Sequence, residues 1–388
     1  MAEQEPTVPL GSLVEIRRGS TYKSALLGQD GPVLLGLSTI ARNGGFRADS
    51  LRTYGGDSPE RMLVRPGGIY ASLKDVTQSA DLLGSVARLP LQFQSGRLTQ
   101  DTVRLDVVSD LIDPDFLYWQ LLTPQYRDYC RAHATGTTNL GLPRDDFLAY
   151  PLWLPPLDVQ RRIAGVLGNL DDLIDTNRRL ILAARDLAAT IFLRLETSGV
   201  TTFGEIAELR RVGVHPAEMR PDEPFLGLEH FAVDGAGVTS FGACSEVTSA
   251  GSRFEVGDVL FGKLRPYFRK FDRLGFPGIC TNEAWVLRPR APYSAAFVYS
   301  LVQSQEFVDW CMAGAGGTRM PRANWEHACS FPVAVPVSGA DSQATEESAE
   351  ALWSAVWALR EEGAGLERTR DELLPSLMSG QVVPGEVA

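Results

Sequence analysis

Leu10–Arg18 reads LGSLVEIRR, and Phe203–Arg211 reads FGEIAELRR, 193 residues further on. Outward from this pair, VLLGLSTI (33–40) aligns with PFLGLEHF (224–231) at an offset of 191, and RPGGIYASL (65–73) with EVGDVLFGK (255–263) at 190. FLYWQL (116–121) matches the segment that starts at Phe297 at an offset of 181. The same 181 relates Tyr129-Cys130 to Trp310-Cys311, Gly136-Thr137 to Gly317-Thr318, and PLWLPP (151–156) to PVAVPV (332–337). Blocks that keep one order, with an offset that only shrinks, mark an internal duplication with length changes in loops.

Each repeat follows one plan. Short apolar runs such as GPVLLGL, GDVLFGKL and AWVLRP, bounded by Gly, Pro and Asp, read as strands. A helical pattern follows (114–133; 293–313), then a Gly/Thr loop and a Pro-bounded apolar strand. A long helix closes each copy. The expected architecture is a duplicated mixed α/β (α+β) domain with two long helices. Its boundaries are 1–156 and 200–337 for the domains, 157–199 for the first helix, and 338–388 for the second helix and tail.

The first helical segment begins after Pro155-Pro156, with Asp158 as a cap, and ends at Ser198-Gly199. Ile163, Val166, Leu170, Leu173, Asn177, Leu180, Ala184, Leu187 and Ile191 recur at alternating three and four, a heptad seam with one polar position. In the second segment Ala349, Leu352, Val356, Leu359, Gly363, Leu366, Arg370, Leu373 and Leu377 follow the same rule. Gly363 and Gly365 weaken that helix, so it needs a partner. The two are expected to form an antiparallel coiled coil, a rod roughly 50–60 Å long. The other reading packs each helix on its own domain.

The 388 residues carry a net charge of −11, which speaks against a free-standing nucleic-acid binder. The charge is uneven: −7 falls in 341–388 and −5 in 200–250, whereas 251–325 is +4. Only four of the 37 basic residues are lysines (Lys23, Lys74, Lys263, Lys270). Guanidinium-rich composition suits bidentate contact with phosphate and guanine, and it equally follows from GC-rich codons. The five cysteines form no C-x-x-C pair and read as reduced thiols of a cytoplasmic protein. No apolar run is long enough for a membrane span, and the N-terminus has no signal-peptide pattern.

Catalytic motifs are missing. The sequence has no G-x-x-x-x-G-K-[ST], no G-x-G-x-x-G after a strand, and no N-P-P-[FY]. No histidine stands at metal-ligand spacing from a cysteine or another histidine. What remains is a two-headed binding protein. Lys263, Arg265, Arg269, Lys270 and Arg273 are interleaved with Tyr267, Phe268 and Phe271, a pattern that holds phosphates and reaches base edges, or else a solvated strand edge. Arg17-Arg18 recurs as Arg210-Arg211, either as backbone-contacting cations or as salt-bridge partners of Glu15 and Glu208. The loops Gly136-Thr137-Thr138-Asn139 and Gly317-Thr318-Arg319-Met320 each precede a Pro-Arg pair, which brings in Arg144 and Arg322. Lys74 completes the candidate contact set.

PLWLPPLDVQRRIAGVLGNLDDLID (151–175) resembles the junction of recognition domain and conserved helix in specificity (S) subunits of type I restriction-modification systems. Gln160, Ile163, Leu167 and Asp171 match that pattern, and Val159 replaces the usual glutamate. LLPSLMSGQV (373–382) is similar to the family's C-terminal ending. The second junction, PVAVPVSGADSQ (332–343), departs from the pattern. The resemblance implies two target-recognition domains reading a bipartite, non-palindromic site in double-stranded DNA, with the helices setting the gap. It implies a non-catalytic chain that recruits two methyltransferase (M) subunits and a restriction/translocase (R) subunit. S-adenosylmethionine, ATP and Mg would then belong to those partners, and this chain would hold no cofactor. Ile163, Leu170, Asn177, Leu180, Leu187, Leu352, Leu359, Leu366 and Leu373 would form the helix pair and partner contacts. The competing readings are a coiled-coil scaffold for protein partners, the specificity component of a related phage-defence system with another effector, and a DNA-modifying enzyme.

Overall fold

The computed structural model describes residues 7–385 apart from Asp49, Asp234 and Thr318. Two compact units emerge. One combines the chain up to Ile174 with the chain from Gly365 onward, and the other is continuous over Asp175–Ala364.

In the first unit a four-stranded antiparallel sheet runs in the order Val14–Arg18, Thr102–Val107, Ile69–Ser72, Val86–Arg88. Ile69–Ser72 is buried along its whole length, which fits three consecutive residues, Ile69, Tyr70 and Ala71, with no polar alternation. A smaller sheet pairs Val33–Leu35 in parallel with Gly96–Leu98. Helices Pro114–Gln120 and Pro124–Ala132 start at Asp113 and Thr123, whose side chains accept from backbone N–H groups of the first turn. Proline at the first helical position forfeits no hydrogen bond there. The ribbon Thr7–Pro9 with Pro151–Trp153 closes the unit.

The second unit repeats this construction. Its four-stranded sheet runs Ala207–Arg210, Ala284–Pro289, Val259–Gly262, Phe271–Arg273. A parallel pair, Pro224–Leu226 with Gly278–Thr281, recurs in its smaller sheet. Helices Ala295–Gln303 and Gln305–Ala313 are capped by Ser294 and Ser304. The closing ribbon is Thr197–Thr202 with Pro332–Pro336. Ser198 and Gly199 therefore lie in a strand, beyond the end of the first helix.

The first long helix spans Leu157–Thr190 and the second Ala340–Met378. The helix start is fixed by Gln160, which is fully buried. Its amide accepts from the Asp113 backbone N–H (2.8 Å) and donates to the carbonyls of Leu111 (2.9 Å) and Pro155 (2.7 Å). At the second junction Gln343 stays exposed, and its side-chain amide donates to Glu347, one turn along (3.1 Å).

The heptad expectation needs correction. Leu173, Leu180 and Leu187 are 51 %, 49 % and 45 % exposed, and Leu170 is half-buried. Beyond Gln160 the buried positions are Ile163, Ala164, Leu167, Ile174, Asn177, Arg185, Ala188 and Ala189, a face that recurs at about 3.6 residues per turn. A 3.5-residue seam drifts by about 20° per heptad around a straight helix, which carries the leucines off the packed face. Leu352 and Leu373 are half-buried against the two cores, and Leu359 and Leu366 are also half-buried.

Within each unit the two helices pair in opposite directions. In the first, Ile163 and Leu167 share a core with Leu374, Leu377 and Met378, while Asp171 meets Arg370 at 2.8 Å. In the second, the polar seam residue Asn177 donates to Glu362 (3.0 Å), and Ala188 packs in one core with Ala349, Trp353 and Val356.

Candidate nucleic-acid interface

In the first unit the Gly/Thr loop is folded back on the segment that follows the central strand. Leu140 and Gly141 pair with Asp75 and Lys74, and Thr135 bridges Gly141. Gly136 sits at φ 96°, where a Cβ would lie 2.5 Å from the Asn139 carbonyl oxygen; only glycine closes this loop. Thr137, Thr138 and Asn139 are exposed on it. Beside it lies a cleft of about 430 Å³ lined by residues that include Arg18, Lys74, Asp101, Thr135 and Arg144.

Three cations thus converge from a strand end, a strand edge and the first turn of the short helix Arg144–Leu148. Lys74 pairs with Asp101 at 3.5 Å, and Arg18 donates to the Gln100 carbonyl at 3.2 Å. Arg144 makes no ion pair or side-chain hydrogen bond among the described residues. Successive strand residues face opposite ways, which separates Arg18 from Arg17. The latter pairs with Glu15 (2.8 Å) and Asp106 (3.3 Å).

The second unit builds the same juxtaposition with different side chains. Leu264 and Gly316 both bridge Arg322, and the Arg265 backbone N–H donates to the Pro321 carbonyl at 2.7 Å. Gly317 repeats the positive φ at 91°. Arg322 pairs with Glu283 at 3.0 Å; this hydrogen-bonded carboxylate pushes the guanidinium pKa up. Asp101 and Glu283 stand just before the long strand of their respective sheets. Each unit therefore places one carboxylate against one of its interface cations.

The basic-aromatic stretch divides. Arg269 donates to the Gln303 carbonyl (2.6 Å) and to Gln305 Oε1 (3.0 Å), and Lys270 donates to the Leu228 carbonyl (2.6 Å). Both are tied into the unit, because the sequence around them turns their side chains toward free carbonyls at a helix end and a loop. Arg265 lies over the Phe268 ring at 5.8 Å. Tyr267 is exposed, and Lys263 and Arg319 have no ion pair or side-chain hydrogen bond among the described residues. Arg210 reaches Glu255 at 3.9 Å, whereas Arg211 is exposed and has no such partner among the described residues. The expected salt bridge of Glu15 is present; Glu208 instead pairs with Arg290 at 3.6 Å. Thr318 lies outside the described residues.

Sequence reading missed the loop after Lys74. The buried Asp75 carboxylate accepts from the Thr77 backbone N–H (2.7 Å), the Thr77 hydroxyl (2.8 Å) and the Leu82 N–H (2.7 Å). It thereby displays Gln78 and Ser79 in solvent. The available signal was the D-x-T spacing of an Asx turn. Also missed was a buried polar hub in the second unit: Asp272 accepts from Arg185, Arg360 (2.9 Å) and the Val238 N–H (2.8 Å), and Tyr299 bonds Arg185 at 2.7 Å.

Among the described residues no group of three His, Cys, Asp or Glu side chains could hold a metal ion, and no helix is long and apolar enough to cross a membrane. No family model matches the chain. A stretch of 90 residues is 27 % identical to the type I restriction enzyme EcoDI specificity subunit of Escherichia coli, covering 23 % of this chain and 20 % of that protein. The match thus spans about a fifth of that relative's length. Over nearly its full length the chain has the fold of the type I restriction-modification S subunit from M. genitalium: TM-score 0.60, 16 % identity, 99 % of this chain and 97 % of that one.

Proposed function

We propose that the chain is the DNA specificity subunit of a type I restriction-modification system, with one half of a bipartite, non-palindromic target read by each unit. The observation that carries this reading is the repeated interface. The same fold twice pins a Gly-led loop against the end of the central strand, and twice surrounds it with cations. The side chains displayed are different each time. Cations hold phosphates and set register, whereas loop side chains meet base edges. Equal scaffolds with unequal loops therefore call for unlike half-sites, since symmetry of a site mirrors symmetry of its reader.

The chain supplies recognition. Methylation of adenine, using S-adenosylmethionine, falls to M subunits recruited to it, and ATP- and Mg-dependent cleavage to an R subunit. The acidic 341–388 segment and the near-neutral first repeat fit a subunit whose partners share the grip on DNA. The test is co-expression with a methyltransferase carrying N-P-P-[FY], followed by sequencing of methylated adenines. A split motif with unlike halves is expected. A contiguous palindrome, or no methylation that depends on this chain, overturns the proposal.

A further inference from the structure

We infer that the second unit reads the 5-methyl group of thymine in its half-site with Tyr267 and Met320, while the first reads hydrogen-bonding base edges. This inference rests on the DNA-specificity reading above.

The turn Pro266–Phe268 is bracketed by Arg265 (φ 51°) and Arg269 (φ 54°), both left-handed. Side-chain-bearing residues adopt that conformation only when their surroundings impose it. Here they do. The Arg265 N–H is bound to Pro321, the Phe268 N–H to the Arg265 carbonyl (2.9 Å), and the Arg269 N–H to the Pro266 carbonyl (2.8 Å). The Arg269 side chain clamps Gln303 and Gln305. Most of the basic stretch is therefore scaffold, and what it holds out in solvent is Tyr267, 46 % exposed. The adjoining Gly/Thr loop, tied to this turn through Arg265 and Pro321, holds out Met320, 44 % exposed.

Two exposed side chains with apolar surface, flanked by Lys263, Arg319 and Arg322, match a duplex. The cations suit the phosphates on either side, and the ring and thioether suit the one apolar feature of the major-groove edge, the thymine methyl. The first unit carries amides and hydroxyls at the equivalent place: Gln78 and Ser79 on one loop, Thr137, Thr138 and Asn139 on the other. Amide side chains pair bidentately with adenine.

The test uses the full chain assembled with its methyltransferase, after the wild-type motif is known. Tyr267→Ala and Met320→Ala should relax one or two thymine-containing positions of one half-site and leave the other half unchanged, while Asn139→Ala should do the converse. Replacing those thymines by deoxyuridine, which lacks only the methyl group, should weaken wild-type binding about fourfold, the worth of one buried methyl. The double variant Tyr267→Ala with Met320→Ala should be indifferent to that replacement, and Tyr267→Phe, which keeps the ring, should respond as wild type does. Thymine positions that stay fully specified in both alanine variants, or deoxyuridine sensitivity unchanged in the double variant, overturn this inference and leave the specificity reading intact. Loss of methyltransferase co-purification in the variants overturns it in favour of a protein contact. A wild-type complex with no split motif removes the specificity reading as well.

Discussion

Arg185 of the first long helix and Asp272 of the second unit's sheet form an ion pair at 3.4 Å with both side chains out of solvent. Arg360 of the second long helix reaches the same carboxylate at 2.9 Å. One acid therefore binds a strand to both helices within this unit. Asp272→Ala strands two guanidinium groups and should cost about 3–5 kcal/mol, read by urea unfolding. Adding Arg185→Met should recover part of that loss, because an apolar side chain of similar size removes the uncompensated charge.

Arg269 and Lys263 lie six positions apart and should behave oppositely. Arg269→Ala removes the clamp on Gln303 and Gln305 and should lower the thermal midpoint. Lys263→Ala should leave the midpoint unchanged while reducing the slope of log affinity against log salt by about one in the assembled complex. If both variants lower the midpoint alike, the division between scaffold and contact is wrong.

Glu283 holds Arg322 at 3.0 Å. Glu283→Gln releases that charge to a phosphate. Affinity for DNA of unrelated sequence should rise, with a salt slope steeper by about one. Titrations of the complex at several salt concentrations measure both quantities.

Gln160 satisfies three buried backbone groups, and Gln343 satisfies none. Gln160→Ala should cost about 1–3 kcal/mol, the desolvation of groups left unpaired. Gln343→Ala should stay within about 0.5 kcal/mol of wild type.

Burial raises the pKa of the Glu346 carboxyl, against a hydrogen bond with Ser294 that lowers it, and the like charge of Glu350 adds to the rise. The native state thus holds this proton more tightly than the unfolded chain does. Its contribution is favourable at low pH and is lost as pH rises from the unfolded value through the raised one. Glu346→Gln should accordingly raise the midpoint at neutral pH, with the gain shrinking toward zero near pH 4. A constant gain across that range would mean the carboxyl is not desolvated.

The duplication was legible because it is written in glycines, prolines and apolar blocks that backbone geometry demands: the Gly136 and Gly317 turns, the fully buried Ile69–Ser72 and Val259–Gly262 strands, the proline-bounded ribbons. The phase of the helix seam was not. Leucines at 3.5 and burial at 3.6 coincide over one turn and part over several, and only packing shows which period is buried. Asn177 was found because the two periods agree there. The interface cations were found as a group but could not be sorted. Whether a cation meets solvent, a carbonyl or a carboxylate depends on residues far away in sequence, as Arg269 with Gln303 and Lys74 with Asp101 show. Asp272 carried no signal in its neighbourhood, since its arginine partners lie 87 and 88 residues distant.

The first unit draws Leu374, Leu377 and Met378 into its core, whereas the second is continuous in sequence. Emergence from the ribosome therefore inverts the order of completion. The later unit has all its residues once position 364 is made, while the earlier one waits, with apolar surface uncovered, for residues 374–378. A premature stop between 365 and 373 would leave the downstream unit whole and cripple the upstream one, a polarity opposite to that of ordinary truncation.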